Sequence, residues 1–147
     1  MDIDALRCPD CTGILILDGG EALCYKCGVK FEIKDGIVDL LGEENVYLGE
    51  TPLKDVLETI QIAKTSGYGF ALELLASKYP HLSRYLLSNA RANWIVHCIE
   101  SHEMNSCLDL GSGWGTITFL LARWYRHVWS LEEVREKTVF QSIRAAQ

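Results

Sequence analysis

At 147 residues the chain has room for one modest domain and a small module, and a composition 48% hydrophobic and 23% charged places it among globular proteins. No uninterrupted apolar stretch exceeds four residues, which excludes a membrane-spanning helix. The formal net charge of −6 is unevenly placed: residues 1–50 carry 4 basic and 11 acidic side chains, residues 51–106 carry 5 and 5, and residues 107–147 carry 5 and 4. The acidic amino-terminal part is a poor electrostatic match for nucleic acid. A local basic spot at Lys26, Lys30 and Lys34 could still touch RNA, but a protein-facing or purely structural role ranks higher.

The first motif is Cys8-x-x-Cys11 with Cys24-x-x-Cys27, 12 residues apart, and each pair is followed closely by a glycine, Gly13 or Gly28. Two such pairs wrap one tetrahedral four-thiolate site, each on a tight turn whose backbone amides bond to the thiolates. Disulfides are the competing use. The opening Met-Asp-Ile-Asp-Ala-Leu lacks the charge and apolar core of a signal peptide, which points to a reducing, cytoplasmic compartment and to zinc. A rubredoxin-like iron site uses the same paired turns and stands as the alternative metal. Between the pairs, Ile14 to Leu23 predicts a hairpin with Asp18-Gly19-Gly20 at its turn. Val29 to Ile33 alternates as a half-buried strand, and Lys34-Asp35-Gly36 turns into Ile37 to Leu41. About 40 residues make too small a core to fold alone, so the metal is expected to supply stability directly.

Glu43-Glu44-Asn45 reads as a linker. Thr51 is then expected to cap a helix with Pro52 at its first position and Leu53, Val56, Leu57, Ile60 and Ala63 as its apolar stripe. Ser66-Gly67-Tyr68-Gly69 breaks it, and Phe70, Leu72, Leu74 and Leu75 belong to a second helix ending near Tyr79-Pro80. His81 to Leu87 predicts a short helical turn, and about Asn89 to Ser101 a third helix. Cys98 falls on that helix's apolar face and Cys107 begins a buried strand, so both read as core thiols. The histidines at 81, 97, 102 and 127 show no metal-ligand spacing and read as surface or boundary residues.

From Cys107 the chain runs Cys-Leu-Asp-Leu-Gly-Ser-Gly-Trp-Gly and then Thr-Ile-Thr-Phe-Leu-Leu-Ala: an apolar strand, a glycine-rich turn and a helix. A second apolar strand, Val128 to Leu131, ends on Glu132, 21 residues after Gly111. Glycines let a backbone approach a nucleotide-like ligand closely, and an acid there accepts hydrogen bonds from ribose hydroxyls. A dinucleotide fingerprint needs Gly-x-Gly-x-x-Gly. Here Gly111, Gly113 and Gly115 are followed by Thr116, so the spacing is Gly-x-Gly-x-Gly and NAD is disfavoured. Glu132 and Glu133 also suit the start of a following helix, which is the bland reading of both. Trp114 either packs on the turn or touches ligand.

This strand, turn, helix, strand and acid resembles motif I and the next strand of the class I S-adenosylmethionine-dependent methyltransferases, over Cys107 to Gln147. The resemblance implies that Gly111, Gly113 and Gly115 bear the methionine and adenosine parts of S-adenosylmethionine, that Glu132 contacts its ribose, and that Asp109 is the acid inside motif I. The segment through Leu41 is similar to the small zinc ribbons that activate transfer-RNA methyltransferases, notably in Asp35-Gly36-Ile37-Val38-Asp39-Leu40-Leu41. Helices ahead of motif I often cover the cofactor in that family, which makes Tyr68, Arg84 and Arg91 contact candidates, with solvated surface the competing fate.

The expected fold class is therefore α/β: a zinc ribbon over 1–42, a helical connector over 43–106, and the first β-α-β-α half of a Rossmann-like domain over 107–147. Cys8, Cys11, Cys24 and Cys27 are the expected metal ligands. A class I domain has seven strands and this chain supplies two, and a two-stranded parallel sheet is unstable alone. The sequence is thus expected to be the beginning of a longer enzyme, or to complete its sheet by self-association or with another chain. The catalytic groups of the family come mainly from later strands, so no catalytic residue or methyl acceptor is named. The expected function is methyl transfer, with weak or undetectable cofactor binding and no transfer by this chain alone. The alternative is a non-catalytic zinc-ribbon adaptor that binds a protein partner.

Overall fold

The computed structural model describes residues 6–41, 49–88, 90, 95 and 104–147. The expected linker at Glu43 to Asn45, most of the helix expected from Asn89 to Ser101, and with it Cys98, Arg91, His97 and His102, lie outside the described residues. The chain is mixed α/β, with an amino-terminal antiparallel sheet carrying the four cysteines and a later part of helices and parallel strands. It divides into two compact units, Met1–Val46 and Tyr47–Gln147.

The first unit is a sheet of order β1-β2-β3-β4, with β1 at Leu15–Asp18, β2 at Glu21–Cys24, β3 at Lys30–Lys34 and β4 at Ile37–Val38. Both expected hairpin turns form with two-residue loops, between the cross-strand pairs Asp18–Glu21 and Lys34–Ile37. Left-handed backbone at both loop residues matches the twist of the strands: Gly19 and Gly20 at φ 58° and 92°, Asp35 and Gly36 at 51° and 76°. The core is small. Leu15, Ala22, Phe31, Cys8 and Cys24 are buried, and Leu6, Val29, Ile33, Val38 and Leu40 pack against them.

The second unit opens with α1 (Leu53–Ser66) and α2 (Tyr68–Lys78), then a 3-10 turn at Pro80–Leu82 and α3 (Ser83–Leu87). The first helix begins one residue later than expected, because Pro52 itself is the boundary residue (φ −54°, ψ 137°) and its carbonyl receives the Asp55 N–H at 2.9 Å. Its buried face is also rotated. Val56, Ile60 and Ala63 are buried as expected, but Asp55 and Thr59 join them while Leu53 and Leu57 are exposed. The cause is polar. Asp55 accepts a hydrogen bond from Lys78 Nζ at 2.6 Å and another from the Tyr79 hydroxyl, tying α1 to the end of α2. On α2 the small residues Ala71 and Ala76 share the buried face with Leu72 and Leu75, while Phe70 and Leu74 face outward.

Strand β5 (Met104–Leu110) pairs in parallel with β6 (Tyr125–Leu131), joined through α4 (Thr116–Leu121), and α5 (Arg135–Ala146) follows. Both strands extend further toward their amino ends than the apolar runs indicated. The core of this unit joins α1, α2 and α3 to Trp114 and Phe140, so the helices and the glycine turn share one apolar interior. Leu108, Leu110 and Leu131 remain exposed on the strands.

Two neighbours, Lys78 first and Tyr79 second, hold the Asp55 carboxyl below the usual carboxylate range. Since its folded-state pKa lies below the unfolded value of about 4, its stabilisation is complete above that value and is lost as pH falls through the folded pKa. Thermal melts across that acid limb should therefore show Asp55→Asn with a lower melting temperature than wild type at neutral pH and a shallower decline on acidification. Parallel pH profiles for the two proteins would discount the pairing.

Candidate functional site

Two matching turns present the four cysteines. In the first, Cys8 N–H donates to the Gly13 carbonyl at 2.9 Å and Thr12 N–H to that of Cys8 at 2.8 Å; in the second, Cys24 N–H donates to Val29 at 2.8 Å and Gly28 N–H to Cys24 at 2.9 Å. Each residue of the second turn lies 16 positions after its counterpart in the first. The fifth residue of each turn is left-handed, Thr12 at φ 60° and Gly28 at 76°, which glycine tolerates and threonine does not favour.

The sulfurs converge. Cys8 Sγ lies 3.7 Å from Cys27 Sγ, and Cys11 Sγ lies 3.4 Å from Cys24 Sγ. All four ligand atoms are within 4.8 Å of one another. Disulfide-bonded sulfurs would stand about 2.05 Å apart, and the cysteines are free thiols. Four thiolates at about 2.3 Å from one tetrahedral ion stand about 3.8 Å from each other, so the cluster fits a single zinc-sized ion. Gly13 is required by space rather than by backbone angle. A Cβ there would sit 2.7 Å from Lys26 Cβ and 2.8 Å from Cys24 Sγ.

The electrostatics of the bare thiols agree. Backbone N–H groups of Cys27 and Lys26 donate to Cys24 Sγ and, against the effect of burial, hold its thiol down to about 6. Cys27 receives the Val29 N–H, but its neighbours Cys11 and Cys24, together with desolvation, push it up to about 12. Crowded thiols cannot all ionise without a counter-charge, and a divalent cation supplies it.

At the other candidate site, β5 and β6 end side by side. Gly111 and Ser112 N–H both donate to the Leu131 carbonyl, at 2.9 and 3.2 Å. Glu132 follows, and its carboxylate accepts the Gly113 N–H at 2.7 Å and the Val134 N–H at 3.0 Å. It therefore joins the glycine turn to the segment entering α5. Asp109 accepts a 2.6 Å hydrogen bond from Thr118 and so fixes α4 to β5. Trp114 is fully buried, edge-on to Phe140 at 5.1 Å between ring centres, which decides in favour of packing. Glu133 is exposed.

The three glycines differ. Space around Gly111 is open, with no atom within 4 Å of where a Cβ would stand. At Gly113 that position is taken by the Tyr85 hydroxyl from α3, and at Gly115 a Cβ would meet the Phe119 ring and Gln141 Cγ at 3.0 Å. The sequence left Tyr85 and Gln141 unmarked. Gln141 Nε2 donates to Ser112 Oγ at 2.9 Å and to the Gly113 carbonyl at 2.7 Å, and Ser130 Oγ lies 2.7 Å from both Ser112 Oγ and Gln141 Oε1. A polar residue on the buried face of an amphipathic helix was its only signal. Of the other contact candidates, Tyr68 lies beneath the Arg144 guanidinium at 4.9 Å and Arg84 is exposed. Burial holds Arg144 below the usual guanidinium range. Cys107 is half-buried, and desolvation followed by the charge of Asp109 pushes its thiol up.

Comparison of the chain with models of protein families, with curated proteins and with solved structures returns no match.

The crowding at Gly13 gives a specific expectation for the candidate metal centre. Gly13→Ala should weaken zinc binding by roughly tenfold, about 1.4 kcal/mol, because a methyl group would push Cys24 Sγ from its place. Gly28→Ala, strained but unobstructed, should cost less. Competitive titration against a chromophoric chelator measures both, and equal losses would contradict the steric account.

Proposed function

We propose that the chain joins a structural zinc ribbon to an S-adenosylmethionine site and serves methyl transfer. The observation that carries this reading is the Glu132 carboxylate held on the Gly113 N–H where the two parallel strands end, two residues after a Gly111 whose side-chain position is open. Tight hairpin loops and converging thiols support the ribbon. In it, Cys8, Cys11, Cys24 and Cys27 would hold one zinc ion, which stabilises a unit whose apolar core is small.

When bound, S-adenosylmethionine supplies a methyl group already activated by the sulfonium. The protein's part is binding and orientation. Glu132 has its direction set by two backbone donors and retains acceptor capacity on both oxygens for ribose hydroxyls. Gln141 and Ser130 hold Ser112 and Gly113 from behind, so the turn keeps its shape without a phosphate to order it. Asp109, engaged with Thr118, acts on the position of α4.

A second reading has its own observation. Tyr85 occupies the near side of Gly113 and the Glu132 carboxylate already has two donors, so the turn is complete as a structural element. That arrangement suits a zinc-ribbon adaptor with a non-catalytic second unit.

Ligand-observed NMR with S-adenosylhomocysteine separates the two. The sequence alone allows weak or undetectable binding. With Glu132 oriented by two backbone donors, the methyltransferase reading requires weak but detectable binding, with Kd of order 1 mM, and loss of the signal in Glu132→Ala, since hydrogen bonds to a charged group contribute about 1.5–3 kcal/mol. Binding of NAD in place of S-adenosylhomocysteine would overturn the methyltransferase reading. Binding of neither would leave the adaptor as the better account.

A further inference from the structure

The outer face of the ribbon holds an arrangement that neither the metal centre nor the glycine turn uses. Alternation along β1 and β2 puts Leu15, Ala22 and Cys24 inside and turns Ile14, Ile16 and Asp18 outward, together with Tyr25, Leu23 and Glu21. Register then arranges these side chains in rows. Ile16 stands opposite Leu23, and Leu23 opposite Lys30; Asp18 stands opposite Glu21, and Glu21 opposite Glu32. Tyr25 N–H donates to the Ile14 carbonyl at 3.1 Å, which sets these two residues side by side beyond the apolar row. One face thus carries four contiguous apolar side chains and, next to them, three carboxylates abreast.

Both halves are costly in an isolated sheet. Ile14, Ile16 and Tyr25 are 54%, 40% and 83% exposed, and a contiguous apolar patch rimmed by charge marks an interaction surface. Like charges directly opposite one another across strands are destabilising. Two lysines offset part of this, Lys30 on Glu21 at 2.8 Å and Lys34 on Glu32 at 2.5 Å. Among the described residues Asp18 has no cation within salt-bridge distance.

We infer that this face is a docking surface for a basic amphipathic helix of a partner protein. Charge selects the occupant. On this face Asp18, Glu21 and Glu32 outnumber Lys30 and Lys34, and residues 1–50 carry 11 acidic and 4 basic side chains, so a second copy adds acid where a basic partner supplies the missing cation. Spacing selects the form. Successive outward residues of a strand are about 7 Å apart, and residues four apart on a helix rise about 6 Å. Two apolar side chains one turn apart therefore reach the Ile14–Tyr25 and Ile16–Leu23 rows, and a lysine or arginine one turn further meets Asp18, Glu21 and Glu32.

The test titrates the zinc-loaded full chain with a short alanine-based helical peptide carrying two leucines one turn apart and lysines in the next turn. A control peptide carries glutamates in place of the lysines. Saturable binding of the lysine peptide is expected, with amide NMR shifts on Ile14–Asp18 and Glu21–Tyr25, and at least roughly tenfold weaker binding of the control. Ile16→Thr keeps a β-branched residue on an exposed strand position and should weaken binding by a similar factor with zinc content unchanged. Asp18→Lys should narrow the preference between the two peptides. Equal binding of both peptides, undiminished binding by Ile16→Thr, or no binding would overturn the inference. So would sedimentation showing that the chain dimerises through this face, as judged by loss of the dimer in Ile16→Thr.

Discussion

The contact on which the second unit depends is the edge of the Trp114 indole against the Phe140 ring. Trp114 belongs to the glycine turn and Phe140 to α5, and both side chains are fully buried in the core that contains Val56, Ala63 and Leu75. A parallel pair of strands has no stability of its own. It is held because its connecting turn inserts the largest side chain available into an interior built by helices from an earlier stretch of chain. The glycine turn is therefore part of the core, with its shape set by packing on one side.

That placement explains how hydrogen bonds are distributed around the turn. Burial of Ser112, Gly113 and Gly115 removes water from their backbone groups, and each buried group needs a partner. Glu132 supplies an acceptor to Gly113 N–H, and Gln141 supplies a donor to its carbonyl. The Glu132 carboxylate thus has a structural duty, and it still has more lone pairs than the turn consumes. Tyr85 and Phe119 fill the space that two of the glycines leave. Of the three turn glycines, Gly111 alone keeps an open side.

The first unit, an antiparallel sheet carrying four cysteines, solves a different problem. Its apolar interior is small, matching turns of backbone hydrogen bonds fix its two cysteine loops, and the four sulfurs converge around a position that could hold one metal ion. The turns differ where their surroundings differ. Gly13 is pressed against Lys26 and Cys24 Sγ, whereas its counterpart Val29 has room for a side chain; Gly28 relieves a left-handed backbone that Thr12 endures. The acidic outer face follows from the same economy of size, since a sheet with one small buried face must turn its other face to solvent or to a partner.

By itself the sequence determined what depends on short-range geometry. Two Cys-x-x-Cys pairs, two left-handed hairpin loops, the break at Gly67, and the order of strand, glycine turn, helix, strand and acid are each specified by residues close in the chain, where backbone angles and ligand spacing leave few alternatives. Tertiary structure decided what depends on neighbours distant in sequence. Whether Trp114 met ligand or core was open until α1, α2 and α5 were assembled around it. Asp55 turned inward because Lys78 and Tyr79 arrived beside it, a rotation of α1 that no apolar periodicity contained. Gln141 gained its role from Ser112 and Gly113, and Gly113 its need for glycine from Tyr85. A polar side chain inside the protein takes its meaning from the partner it finds, and that partner is fixed only by the packed fold.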